Sequence, residues 1–148
     1  MITDPKRELL RHMVATVAFR GGIAIENAPA DFADFRIAES TRSPAEILAH
    51  IGDLLLGSRY LLQGEFVEIV SQPLPWEAEI ARFVSAVREL DAFLASDQEL
   101  VHPVEKMVQG PIGDALTHIG QIVLLRRIAG APIKQQPYFA AEVIPGTF

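Results

Sequence analysis

Apolar residues recur every three or four positions in four long segments of this chain, the spacing typical of amphipathic helices. The first segment begins with Asp4-Pro5, an N-cap side chain followed by proline at the first helical position. Gly21-Gly22 provides a stop signal, so the pattern predicts a helix that ends at about Arg20. Its apolar positions are Leu9, Leu10, Met13, Val14 and Val17.

The second segment carries the strongest start signal in the sequence. Ser43-Pro44-Ala45-Glu46 is a capping box with proline at the first helical position. The predicted helix runs to about Gly64 and is apolar on much of its circumference, as expected of an interior element. The connection over 21–42 has a weaker pattern with phenylalanines at Phe32 and Phe35, and we expect it to lie along the surface of the bundle.

Prolines and glycines bound the third and fourth segments. Pro73 and Pro75 precede a helix predicted from about Trp76 to Ala95. Its outer face is predicted to carry the charged residues Glu79, Arg82, Arg88 and Glu89. The fourth long helix is predicted to open at Pro111 and to close at Gly130, which Pro132 follows.

The remaining segments predict connections rather than further long helices. Residues 96–110 read as a connection with one short helical turn, and residues 131–148 as an extended tail. No alternating run is long enough for a sheet, and no internal repeat is visible. The pattern therefore predicts an all-α fold, a four-helix bundle with a long connection between its first two helices and an extended C-terminal tail.

Length and composition narrow the class of protein. A chain of 148 residues fits a single domain, here 1–148, that buries a core without disulfides. The net charge of -6 argues against a nucleic-acid partner. The N-terminus lacks the apolar core of a signal peptide, and no apolar run approaches the roughly 20 residues of a membrane span. We expect a cytoplasmic protein with no membrane contact.

Two of the predicted helices carry polar groups with the chemistry of metal ligands. Asp114 and His118 are four residues apart and share one helix face, and His50 lies on the second helix. With no cysteine in the chain, a metal ion can be held only by His, Asp, Glu or water. Two histidines and one carboxylate suit a divalent ion with open positions. A hydrogen-bonded His-Asp pair inside the bundle is the alternative, and periodicity does not show whether the fold brings His50 alongside.

These two segments resemble the DinB/YfiT-like superfamily. The likeness is carried by Ser43-Pro-Ala-Glu-Ile-Leu-Ala-His50-Ile-Gly-Asp-Leu and by Gly110-Pro-Ile-Gly-Asp114-Ala-Leu-Thr-His118-Ile-Gly-Gln121. It implies a four-helix bundle, often dimeric, in which three side chains, usually histidines, hold a divalent ion. One ligand comes from the second helix, here His50. The other two come from a His-x-x-x-His unit on the fourth helix, here Asp114 and His118.

Asp114 departs from the commoner histidine of the family. A carboxylate still ligates zinc, nickel, iron or manganese, and it lowers the net charge of the site by one unit. The resemblance implies a metal-dependent enzyme, a hydrolase or a thiol S-transferase or isomerase. Its expected partners are a small-molecule substrate, such as a low-molecular-weight thiol, and a second copy of the chain in a homodimer.

A non-catalytic helical bundle is the alternative function. It would bind an apolar ligand or pair with itself. The triad of His50, Asp114 and His118 would then be an internal hydrogen-bond cluster or a degenerate metal site. A mean hydropathy of +0.22 is compatible with the burial of extra apolar surface in a dimer.

Several other polar residues have less specific signals. Asp53 either orients an imidazole or caps a surface turn, and the surface position is favoured. Gln121 is expected to bond across helices, and Tyr138 is a candidate to close over the site from the tail. The pair Arg126-Arg127 is expected at the carbonyl end of the fourth helix. His12 and His102 are expected to face solvent.

Overall fold

The computed structural model describes residues 4–148, which contain four long helices and one short helix. They are α1 (Pro5–Ile25), α2 (Pro44–Leu62), α3 (Trp76–Ala95), α4 (Val104–Met107) and α5 (Gly113–Ile128). A 3-10 turn over Phe32–Asp34 and a π-helical turn over Val108–Ile112 complete the regular structure. Residues 4–148 contain no strand, and the predicted all-α four-helix bundle is confirmed.

The four long helices form a bundle in which α1 and α2 each pack against both α3 and α5. The helices α1 and α2 therefore occupy opposite corners, which explains the length of the connection between them. The core is apolar and draws on every long helix. Its fully buried members include Val14, Val17, Leu48, Ile51, Leu55, Phe83, Val87, Leu90, Ile112, Ile119 and Ile122.

The start of α2 and both limits of α3 agree with the prediction. Ser43 Oγ accepts a hydrogen bond from the backbone N–H of Glu46, and the Glu46 carboxylate accepts one from the N–H of Ser43 at 2.8 Å. Both partners of the capping box are thus satisfied, which sets the first turn of the helix. This fixed start places His50 in the second turn of α2.

Helix α1 is longer than predicted, because it continues through Gly21-Gly22 to Ile25. Gly21 is buried, and a Cβ atom there would lie 2.6 Å from Cζ of Phe83 on α3. Gly21 therefore allows close approach of two helices and does not end one. The helix stops at Glu26, whose backbone is extended.

The connection between α1 and α2 lies along the surface of the bundle, as predicted, but Phe32 and Ala33 anchor it in the core. Phe32 is 1% exposed, packs edge-on against Trp76 at 5.9 Å between ring centroids, and lies under the guanidinium of Arg126. Phe35 is half-buried against the same core. Because the connection joins opposite corners of the bundle, it passes the start of α3 and the end of α5 and covers apolar surface there.

Glu79 was predicted on the charged outer face of α3, and it is instead fully buried. Its carboxylate accepts hydrogen bonds from Nε of Arg82 at 2.8 Å and from the backbone N–H of Leu74 at 2.9 Å. These partners offset the cost of burying a charge. The carboxylate ties the preceding connection to the first turn of α3.

The fourth long helix starts two residues later than predicted. Gly110 leaves helical geometry, with φ -102° and ψ -108°, and Pro111 lies inside the π-helical turn that leads into α5. The predicted short turn is α4. The predicted extended tail is confirmed, since residues 131–148 form neither helix nor strand. Within residues 4–148, no helix combines the length and apolar character needed to cross a membrane.

Candidate metal centre

The packing of α2 against α5 brings the three candidate ligands together. His50 comes from the second turn of α2, and Asp114 and His118 come from the first two turns of α5. One ligand atom from each residue lies within 4.8 Å of the other two. The structure thus supplies the proximity of His50, which periodicity left open.

The distance between His50 and Asp114 fits a pair of ligands on one ion. Nε2 of His50 lies 3.4 Å from Oδ2 of Asp114. Ligand atoms bound at about 2.1 Å to one ion lie about 3 to 3.5 Å from each other. Two imidazoles and one carboxylate in this arrangement can therefore hold a divalent metal ion.

The backbone of α5 selects the tautomer of His118. Nδ1 of its ring lies 2.8 Å from the carbonyl oxygen of Asp114, so the Nδ1 proton donates to an oxygen that cannot donate in return. The lone pair of His118 then resides on Nε2. Backbone carbonyls fix the rings of metal-binding histidines in the same way.

The side chains of the triad are half-buried rather than sealed in the core. Exposed fractions are 31% for His50, 46% for Asp114 and 13% for His118. A bound ion would thus remain accessible to a small molecule. The carboxylate of Asp114 supplies an anionic oxygen donor beside the two imidazoles, which favours a cation.

A cleft of about 810 Å³ opens beside His50 and Asp114. Its walls are mostly apolar, and Asp53 and Asp114 are the charged residues that line it among the residues described. The apolar lining comprises Leu54, Leu61, Val67, Ile69 and Pro111. Such a lining suits the apolar part of a small molecule, and the carboxylates disfavour an anion.

Asp53 holds one wall of this cleft in place. Its carboxylate accepts hydrogen bonds from the backbone N–H of Ser71 at 2.8 Å and from the Ser71 hydroxyl at 2.6 Å. Both contacts tether the connection between α2 and α3, which contributes Val67 and Ile69 to the wall. Of the two roles considered for Asp53, its observed contacts match a cap of a surface segment.

A second opening lies on the other side of the triad. This groove, of about 410 Å³, is lined by His118, Gln121, Arg42 and the apolar residues Ile37, Ile47, Leu124 and Leu125. Nη1 of Arg42 lies 3.5 Å from Nε2 of His118. Arg42 is not among the residues predicted from the sequence, where its position directly before the capping box is the one signal of its place.

Arg36 and Glu46 form an ion pair near the start of α2. The hydrogen bond from Arg36, together with the one from the backbone of Ser43, lowers the pKa of Glu46 below its ordinary value. The carboxylate of Glu46 therefore stays charged and keeps the capping box intact over most of the pH range.

Tyr138 does not close over the triad. Its ring lies 4.0 Å from the guanidinium carbon of Arg20 and packs edge-on against Phe19 of α1. The tail thus binds a different face of the bundle. Gln121 is exposed at the groove, and within residues 4–148 its side chain makes no hydrogen bond across helices.

Arg126 of α5 is buried, and its guanidinium donates hydrogen bonds to carbonyls at the end of α1. It donates to the carbonyls of Ala24 at 3.0 Å and Glu26 at 2.9 Å at the end of α1, and to Ala131 at 2.7 Å. Burial lowers the pKa of its guanidinium. Arg126 and Arg127 thus lie in the last turn of α5, as expected, and Arg126 in addition caps the end of α1. His12 and His102 are exposed, as predicted.

Comparison of the chain with models of protein families, with curated proteins and with solved structures finds no match in any of the three. What the protein does is therefore inferred from the geometry and chemistry of its own site.

Proposed function

We propose that this protein binds one divalent metal ion through His50, Asp114 and His118, and acts through that ion on a small molecule in the adjoining cleft. The observation that carries the proposal is the convergence of three donor atoms within 4.8 Å from two separate helices. The resemblance of both segments to the DinB/YfiT-like superfamily, where these positions hold a divalent ion, supports the same proposal.

The distances favour a ligand set over a closed hydrogen-bond cluster. Charge-assisted bonds between nitrogen and carboxylate oxygen are typically about 2.7 to 2.9 Å long. The contact of Asp114 with Nε2 of His50 is 3.4 Å, longer than that range, and Nδ1 of His118 bonds to the backbone carbonyl of Asp114 at 2.8 Å. The contact with His50 has the length expected between two ligands of one ion, which favours a metal-binding triad.

The donor set points to a borderline transition metal. Two imidazole nitrogens and one carboxylate oxygen suit zinc, nickel, iron or manganese, whereas calcium and magnesium prefer oxygen ligands throughout. Three protein ligands leave further coordination positions open to a substrate.

A divalent ion in this position supplies a Lewis acid that polarises a carbonyl or lowers the pKa of a thiol or water. The chain itself contributes the orientation of His118 through the backbone carbonyl of Asp114. The apolar side chains of the cleft hold the substrate and exclude water, and the Asp53 tether keeps one wall in place. These features favour hydrolysis, isomerisation or thiol transfer on a small molecule, with a low-molecular-weight thiol as one candidate.

Metal content tests the proposal directly. Protein purified without chelator or affinity nickel is analysed for bound metals, before and after incubation with zinc, nickel, manganese and ferrous ions. We expect about one equivalent in the parent and little in His50→Ala and His118→Ala. His102→Ala removes an exposed histidine outside the site and should keep the full equivalent. Full metal in both site variants would contradict the proposal.

The apolar lining of the cleft also suits a second function, a non-catalytic bundle that binds an apolar ligand. Chelation separates the two. A metal held by the native state stabilises it by mass action, about 2.7 kcal/mol when free metal is a hundred times its Kd. Chelator should then lower Tm by several degrees. An unchanged Tm in metal-replete protein favours the non-catalytic bundle.

A further inference from the structure

Arg42 faces a groove that the proposed metal function leaves unused. The groove runs beside α5 on the side of the triad opposite the large cleft. Arg42 is the one permanently charged side chain among the described residues that line it. The walls around Arg42 are apolar and include Ile37, Ile47 and Leu124. The groove thus combines one cationic group with an apolar surface.

Arg42 forms no hydrogen bond with a carboxylate among the described residues. Glu46 accepts its hydrogen bonds from Arg36 and from the backbone of Ser43, and these, together with the charge of Arg42, lower its pKa. Within residues 4–148 Arg42 forms no ion pair, and its polar contact is Nε2 of His118 at 3.5 Å. The N–H donors of Arg42 are therefore available to a ligand in the groove.

The contact between Arg42 and His118 involves the nitrogen that a metal ion needs. Nδ1 of His118 donates to the backbone, so Nε2 carries the lone pair. A cation held at Nε2 would repel the guanidinium and would take the lone pair that Arg42 contacts. The N–H donors of Arg42 would then be free for another acceptor.

We infer that the groove binds the carboxylate of an amphiphilic organic acid, with the carboxylate on Arg42 and the apolar chain along the groove wall. Guanidinium groups bind carboxylates through two parallel hydrogen bonds, and the apolar wall accommodates the chain. The inference assigns a ligand class to this groove and rests on the proposed function for the contribution of the ion.

Octanoate tests this inference, with octanamide as its uncharged counterpart. Binding is measured by NMR titration of the amide signals of α5 in zinc-loaded and metal-free protein. The variants are Arg42→Ala and the matched control Arg127→Ala, which removes an exposed charge elsewhere on α5. Because both arginines are exposed, neither change should disturb the helices, and the amide spectra verify this.

The zinc-loaded parent and Arg127→Ala should bind octanoate alike, and Arg42→Ala should bind it at least about tenfold more weakly. Octanamide should bind the parent more weakly by a similar factor. Equal affinity of the parent and Arg42→Ala for octanoate would overturn the inference, as would failure of the parent to bind it. If the parent takes up no zinc, the metal function fails separately, and the same comparison in metal-free protein decides the role of Arg42.

Discussion

Nε2 of His50 on α2 lies 3.4 Å from Oδ2 of Asp114 on α5, although 64 residues separate the two in sequence. A carboxylate thus lies between the two imidazoles of the candidate site. The consequence is a site with two nitrogen donors and one oxygen donor, whose charge is one unit more negative than that of three neutral imidazoles.

The charge of Asp114 leads to a prediction about metal affinity. Asp114→His should still bind one zinc ion, because a third imidazole can replace the carboxylate as a ligand. Asp114→Leu removes the donor and should weaken zinc binding by at least about a hundredfold, as measured by competition with a chelating dye. Equal zinc affinity in Asp114→Leu and the parent would show that Asp114 is no ligand.

The two hydrogen bonds between Ser71 and Asp53 predict that one wall of the cleft becomes more mobile when Asp53 is replaced. Asp53→Ala removes both hydrogen bonds to Ser71, so amide hydrogen exchange over 65–74 should become faster. Zinc affinity should remain that of the parent, since both described hydrogen bonds of the Asp53 carboxylate go to Ser71 and not to the three candidate ligands. A large loss of zinc with unchanged exchange would instead make Asp53 part of the metal site.

Alanine substitution at the two adjacent glycines of α1 should change the free energy of unfolding in opposite directions. Gly21→Ala places a Cβ against the buried ring of Phe83 and should destabilise the protein by about 1 to 3 kcal/mol. Gly22 has open space around it, so Gly22→Ala should stabilise by about 0.5 to 1 kcal/mol through better helix propensity. Urea unfolding measures both, and similar values for the two variants would contradict the close approach of α1 and α3.

Removal of Arg126 should cost much more stability than removal of its neighbour. Arg126→Ala leaves the carbonyls of Ala24, Glu26 and Ala131 without their buried donor, and we expect a loss of about 3 kcal/mol. The exposed Arg127 has no such role, and Arg127→Ala should change the free energy of unfolding by less than about 0.5 kcal/mol. Chemical denaturation measures the free energy of unfolding of both variants. An equal loss in Arg126→Ala and Arg127→Ala would contradict the role of Arg126 as a cap on α1.

The ion pair of Glu46 predicts a pH-dependent contribution to stability. Its pKa is lowered in the folded protein by the hydrogen bond from Arg36, so the charged carboxylate stabilises the fold at pH values above 4.5, its ordinary value. This contribution is lost as pH falls through the folded pKa. Glu46→Gln should therefore have a lower Tm than the parent at pH 7.

The Tm difference between the parent and Glu46→Gln should shrink below pH 4.5, as measured by thermal unfolding at a series of pH values. The Glu99→Gln variant is a suitable control, because Glu99 is exposed and its carboxylate forms no hydrogen bond or ion pair within residues 4–148. A Tm difference for Glu46→Gln that does not depend on pH would exclude the charge of Glu46 as its cause.

The local sequence determined which segments are helical and how their first turns are capped. The capping box of Ser43 and Glu46, the limits of α3, and the shared face of Asp114 and His118 all depend on residues within one or two helical turns. Side chains in one helix follow the helical repeat, so the spacing of residues along the sequence predicts which of them share a face.

Tertiary packing decided the rest, because contacts between helices leave no periodic signal in the sequence. The proximity of His50 to Asp114 follows from α2 packing against α5, and the position of Arg42 follows from the connection between opposite corners of the bundle. The glycine pair at Gly21 likewise predicts the end of a helix. In the structure, α1 continues through it, and Gly21 lets the ring of Phe83 on α3 approach closely. The sequence thus specified the donor groups, and only the packing of the helices determined that they meet.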